Sequence, residues 1–240
     1  MNVFLEAFAW IFSPDRSTGY LPLWEAIVQH LGFTFGSVAI AAAIAIPAGW
    51  AIGHTGKGRE IAVFLSGAAR SLPSLGLVVL LYLVIGVNFK EQAAFVAFVL
   101  LAIPSILAGA YAGIEAINRS TIEAGRAVGM TPLQVLWKIE IPLGLPLLIG
   151  GIRSAVLQVV ATVTIAAYVG LGGLGFSLIQ GIQTRDASQI LGASIVVVVL
   201  ALALDGLFAV FQRVVVPRGV VVQNFPSARR RTRRTSVPTA

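Results

Sequence analysis

The chain has 240 residues, 57% of them hydrophobic and 11% charged, with a formal charge of +7. A soluble domain holds about 25% charged residues, so the soluble globular class is excluded. There is no cysteine, which removes disulfides, thiol catalysis and thiolate metal sites, and two histidines, His30 and His54, cannot build a histidine-rich metal centre.

The positive charge is not spread as nucleic-acid binding would require. Arg229, Arg230, Arg231, Arg233 and Arg234 lie together in a tail containing Pro, Ser and Thr. Beside a membrane such a tail stays on the cytoplasmic side and meets anionic lipid. Residues 220–240 are therefore predicted to be a disordered basic cytoplasmic tail. In hydrocarbon every backbone polar group must be bonded internally, leaving helices or a closed barrel. The apolar runs exceed twenty residues without alternation, so the expected fold is an all-α integral membrane protein.

At the N-terminus, Glu6 interrupts the apolar stretch Val3 to Phe12, no basic region precedes it and no small-residue cleavage site follows. That pattern does not make a signal peptide. Residues 1–30 are expected to form an outward segment. A crossing helix needs about 20 apolar residues, and five stretches qualify: 31–53, 61–86, 93–114, 143–168 and 190–211. Loop charges give their direction. Lys57, Arg59, Arg119, Arg126, Lys138, Arg213, Arg218 and the tail arginines fall on one side, against Arg16, Lys90 and Arg185 on the other. Basic residues near span ends stay inside, which predicts the N-terminus out and the C-terminus in.

Inside the second stretch lies Arg70-Ser71-Leu72-Pro73-Ser74. Arg70 and Asp205 are ionisable residues within apolar runs, and such residues face a cavity or a partner because lipid exposure costs a few kcal/mol. The sequence leaves open whether Arg70 lines a passage or makes a structural ion pair, with Asp205 or a second subunit. Arg153 is expected to snorkel to the interface.

Between the third and fourth stretches, residues 115–142 form a polar interruption. Ser120-Thr121-Ile122-Glu123 has the form of a capping box, in which the first hydroxyl and the fourth side chain each satisfy a free amide. The form recurs at Thr131-Pro132-Leu133-Gln134, with Pro132 at the first helical position. Two short helices in tandem follow, hinged at Gly129-Met130, the second ending before Pro142. Leu133, Leu136 and Trp137 give it an apolar face, which could rest on the bundle or enter a partner's cleft.

In the fourth stretch, Gln158 and Thr162 are four apart and share a polar side, able to line a passage or to bond across helices. Beyond it, Gly170, Gly172, Gly173 and Gly175 alternate with leucines. No Gly-Lys-Ser/Thr follows, so this is an outward turn and not a nucleotide loop. Trp10, Trp24 and Trp50 do not cluster into an aromatic cage within one span. Neither a nucleophile–base pair nor a metal cluster is encoded. Without a clear internal repeat, an ion-coupled secondary carrier is a weaker reading, and a membrane scaffold with no passage is a further alternative.

The loop carries a resemblance. Glu123-Ala124-Gly125, three residues, Gly129, nine residues, Ile139, one residue, then Ile141-Pro142 resembles the EAA loop of permease subunits of binding-protein-dependent ABC importers. The family pattern has alanine where this chain has Gly125 and leucine where it has Ile141. Gly150-Gly151-Ile152-Arg153, the run Ala161 to Gly170 and Leu171-Gly172-Gly173-Leu174-Gly175 resemble the fourth span and outward loop of osmoprotectant permeases. Arg70 to Leu75 is similar to their second-span signature, Gln-Thr-Ile-Pro-Ser-Leu.

The resemblance covers about 31–219 and implies a five-span, MetI-like permease domain in a bacterial plasma membrane. It implies glycine betaine, choline or carnitine as solute, with an amino acid or another small solute as the alternative. It also implies that Glu123, Ala124, Gly125, Gly129, Thr131, Pro132, Leu133, Leu136, Trp137, Ile139 and Pro142 couple to an ATPase. Candidate pathway residues are Arg70, Ser71, Pro73, Ser74, Gln158 and Thr162, and Gly170 to Gly175 form the outward loop. No cofactor is expected on this chain, because ATP and Mg belong to a separate ATP-binding subunit present in two copies. A second permease subunit and an extracytoplasmic solute-binding protein complete the implied assembly.

Overall fold

A computed structural model describes residues 2–13 and 21–215, without the side chains of Leu65, Ala68, Ala69 and Arg70. The predicted basic tail therefore lies outside the described residues, as does the side chain of Arg70. Among the described residues every element is helical. They run α1 (Val3–Ile11), α2 (Leu23–Thr55), α3 (Arg59–Ser71), α4 (Ser74–Ile85), α5 (Lys90–Glu115), α6 (Arg119–Ala127), α7 (Pro132–Val135), α8 (Ile141–Ala166), α9 (Leu174–Thr184) and α10 (Ala187–Val215).

The expectation of five spanning helices does not hold. Among the described residues four helical stretches are long and apolar enough to cross a membrane: Leu23–Thr55, Val87–Glu115, Pro132–Val169 and Ala187–Val215. The run at 61–86 is instead broken into α3 and α4. Leu72 precedes a proline, a position biased away from the helical region, and it is extended at φ −70° and ψ 129°. With twelve residues, α4 reaches only about 18 Å, short of a hydrocarbon core of about 30 Å. Hydropathy alone reads through such a break, because serine and proline barely lower the average of an apolar window.

At the centre is α5, with α2 along one side and α8 along another. In its long stretch 67% of the most apolar window is buried, against 6% in α10, which is peripheral. Small residues allow the close approach, as membrane helices without a strong hydrophobic driving force require. A Cβ on Gly109 would lie 2.6 Å from the Leu147 carbonyl oxygen, and one on Gly113 would lie 2.5 Å from that of Gly144. Phe98, Ile106, Val156, Val159, Val160 and Val163 fill the core between them.

These contacts also give the directions. Gly49 meets Ala110 and Gly53 meets Ile114, so α2 and α5 run parallel, while Gly109 facing Gly151 and Gly113 facing Gly144 make α8 antiparallel to them. Gln212 on α10 donates to the Pro146 carbonyl at 3.1 Å, near the start of α8. The ends of α2, α5 and α10 and the start of α8 therefore share one end of the bundle. Through α3 and α4 the chain returns from the end of α2 to the start of α5.

Candidate functional site

At that shared end, α6 and α7 form an elbow between α5 and α8. The N-cap of α6 is Asn118, whose Oδ1 accepts from the Ser120 amide at 3.0 Å and from its hydroxyl at 2.9 Å. The expected box at Ser120 and Glu123 is thus not formed. The helix begins two residues earlier, on a side chain that caps equally well, and Glu123 is left exposed one turn further on. The second box is formed: the Thr131 amide donates to Gln134 Oε1 at 2.9 Å, and the Gln134 amide donates to Thr131 Oγ1 at 3.4 Å. Between the helices Gly129 stands at φ +86°, a left-handed conformation that glycine adopts without steric cost.

The elbow folds on itself through Gly125. It is buried, and a Cβ there would come 2.6 Å from Ile139 Cδ1. Glycine in place of the alanine of the resembling pattern therefore lets α6 seat against Ile139. Val135 is fully buried beneath, while Leu133 is 68% exposed, Trp137 59% and Val128 77%. Trp137 sets its ring edge to face with Trp50 of α2, centroids 6.0 Å apart. Leu136 is half-buried. The expected apolar face of Leu133, Leu136 and Trp137 is thus turned outward at its two ends and anchored to α2 through the indole pair.

Helix α7 does not stop before Pro142. It passes through a π-helical turn, Leu136–Glu140, in which the Ile141 amide donates five residues back to the Leu136 carbonyl, and continues as α8 with Pro142 in its first turn. Proline lacks an amide hydrogen and its ring crowds the carbonyl four residues back. The wider turn lies just where those two defects fall, so the chain continues helically where a break was expected. Such turns recur at functional sites.

Glu140 ends the π turn almost fully buried, at 2% exposure. Its Oε2 accepts from His54 Nδ1 at 2.5 Å. The pair edges a cavity of about 430 Å³ that is also lined by Glu115, Arg119, Glu123 and Arg126. Sequence reasoning passed over both residues. The available signal was an acid inside the otherwise apolar run that opens the fourth span, where an ionisable group needs a partner.

The remaining candidates scatter. Ser71 and Pro73 are exposed at the break between α3 and α4, with Ser74 half-buried beside them. Thr162 is buried and donates to the Gln158 carbonyl at 2.8 Å, and Gln158 Oε1 accepts from Ser105 on α5 at 3.4 Å. Thr162 is thus satisfied within α8, and Gln158 bonds across to α5. Asp205 pairs with Arg153: two parallel bonds of 2.5 Å join α8 to α10. Arg153, expected to be a lone cation, is held in an ion pair with α10.

At the opposite end, Gly170 and Gly173 have φ +77° and +79°. The Gly173 amide donates to Gln29 Oε1 at 3.2 Å, and Lys90 Nζ donates to the Gly170 carbonyl at 2.9 Å. A Cβ on Gly172 would collide with the Gln29 amide, and one on Gly175 with the Thr164 carbonyl. The four glycines make a tight turn latched to α2 and α5. Among the described residues no group of three or more His, Cys, Asp or Glu could hold a metal ion.

Comparison with known proteins accords with this geometry. The model of the family described as "Binding-protein-dependent transport system inner membrane component" matches residues 43–220. The glycine betaine/carnitine/choline transport system permease protein OpuCB of Bacillus subtilis is 30% identical over 192 residues, covering 80% of this chain and 88% of the relative. The osmoprotectant import permease protein OsmW of Salmonella typhimurium is 32% identical over 210 residues, covering 85% and 95%. An inward-facing structure of the MetNI methionine ABC transporter superposes with a TM-score of 0.70 at 24% identity over 81% of this chain and 96% of that one, a likeness of fold. The chain belongs to the family of inner-membrane components of binding-protein-dependent transport systems.

Proposed function

We propose that this chain is the permease subunit of an ATP-driven importer for osmoprotectants of the glycine betaine, carnitine and choline class. The observation that carries the mechanism is the elbow at 119–140, a folded helical pair presenting Val128, Leu133 and Trp137 to its surroundings at one end of the bundle. Scattered single apolar residues on a surface need no partner, but a cluster on a structured projection does. An ATP-binding subunit beneath the membrane would receive that cluster. Two ATP-binding subunits and two permease subunits, identical or related, would surround one passage, with a solute-binding protein delivering to the end that carries Gly170 to Gly175.

The basic residues near the elbow, Arg119, Arg126 and Lys138, support placing that end in the cytoplasm. The start of α2 would then lie outside and the end of α10 inside, in a bacterial plasma membrane. ATP and Mg chemistry belongs to the partner. The substrate class is supported by the two osmoprotectant permeases, whose likeness covers at least four-fifths of this chain. Reconstitution of the chain with its ATPase and solute-binding protein tests the reading through competition for uptake. Glycine betaine, carnitine or choline should displace labelled solute, and proline and methionine should not. Displacement by methionine alone would contradict the substrate class.

A further inference from the structure

The elbow can transmit force only if its motion is tied to the helices of the bundle. Its two covalent ties are the three-residue link from α5, Ala116 to Asn118, and the π turn into α8. To α2, the third helix ending there, no covalent tie exists. The Trp50–Trp137 contact is an edge contact near the surface. Deeper in, His54 in the last turn of α2 reaches the buried carboxylate of Glu140, the last residue of the π turn.

The last turn of α2 is itself fixed to the core. A Cβ on Gly53 would lie 2.8 Å from the Ile114 Cβ and 3.0 Å from the Tyr111 carbonyl oxygen, so α2 and α5 are in backbone contact there. Any displacement of the π turn must then either carry α2 and α5 along or break the bond to Glu140. Breaking it would leave a carboxylate nearly sealed from water without its partner, which is costly. A π turn carries one residue more per turn than the helices it joins, so it is a place where the elbow can shift against α8. The bond to His54 lies at its end.

We propose that His54 and Glu140 are positioning residues for coupling: their bond makes α2 move with the elbow, so that each closure of the ATPase is converted into rearrangement of the passage. This rests on the reading of the elbow as the ATPase docking element. The role assigned to His54 and Glu140 is the transmission of movement after docking, not docking itself, because Glu140 is buried.

The test uses the complete complex in proteoliposomes, comparing His54→Ala, Glu140→Ala, Glu140→Gln and the double alanine variant with the parent chain. Three quantities are read on equal amounts of assembled complex: ATPase subunit retained, ATP hydrolysed, and glycine betaine imported per ATP. Each alanine variant should keep the ATPase bound and hydrolysing while import per ATP falls about tenfold, the size of a typical coupling between sites. The double variant should fall no further, because both changes remove the same bond. Glu140→Gln keeps an oxygen that accepts from Nδ1 and should retain most of the coupling.

Unchanged import per ATP in both alanine variants would overturn the proposal, and so would equal losses in Glu140→Gln and Glu140→Ala. A Leu133→Glu variant is run alongside. If it keeps the full complement of bound ATPase, the docking reading fails, whatever the His54 and Glu140 variants do.

Discussion

Gly150 and Gly151 are neighbours in α8, yet a Cβ at Gly151 would lie 2.6 Å from the Ser105 carbonyl oxygen, while one at Gly150 meets nothing within 4 Å. The first is wedged against backbone, which cannot swing aside as a side chain can. Gly151→Ala should therefore destabilise the bundle by about 1–3 kcal/mol through overpacking. Gly150→Ala should be neutral or gain up to about 1 kcal/mol from helix propensity. Thermal unfolding of the two purified variants in detergent separates them, and equal midpoints would contradict the packing described. In the sequence the two glycines are adjacent and nothing separates their roles. Which of two adjacent glycines meets α5 depends on how the two helices are rotated about their axes, a property of the assembled bundle. Gly129 was legible by contrast: it stands between two capped segments, where a hinge with positive φ is the economical solution.

At the scale of elements, local chemistry predicted the Thr131 box and failed at the Ser120 box for one reason. A capping pattern states that a side chain can cap, not that it is the first on the chain able to do so, and Asn118 comes earlier. Helix α7 is the first turn of the stretch that runs on into α8, and helix ends fray unless capped, so the Thr131 cap and the burial of Val135 hold it. Thr131→Ala should cost about 1 kcal/mol of local stability, seen as faster amide exchange across 133–136 with little change in α5 or α8. Uniform loss of protection through the whole chain would contradict a local role.

The break at Leu72-Pro73 was equally visible as a residue pattern, and the run was read through because its apolar length outweighed one proline. The π turn left no such trace. It arises where Pro142, Gly125 packing and the buried Glu140 must be satisfied together, and Gly125 and His54, the partner of Glu140, lie on other helices. The pairing of Arg153 with Asp205 has the same origin: both residues stood out as charges in apolar runs, but only the fold brings them together.

For the whole molecule, the four long stretches and the two short helices α3 and α4 leave the start of α2 and the end of α10 at opposite ends of the bundle. The elbow projects at the second of these ends, joined to α5 and α8 by the chain and to α2 by His54 and Trp50. The central claim is that this elbow grips an ATPase. Because the chain has no cysteine, Leu133→Cys introduces a unique thiol on the exposed cluster. A short thiol cross-linker in membranes holding the complete complex should join that position to the ATP-binding subunit, whereas Tyr168→Cys, exposed at the opposite end, should not. Efficient cross-linking from Tyr168→Cys with none from Leu133→Cys would contradict the account.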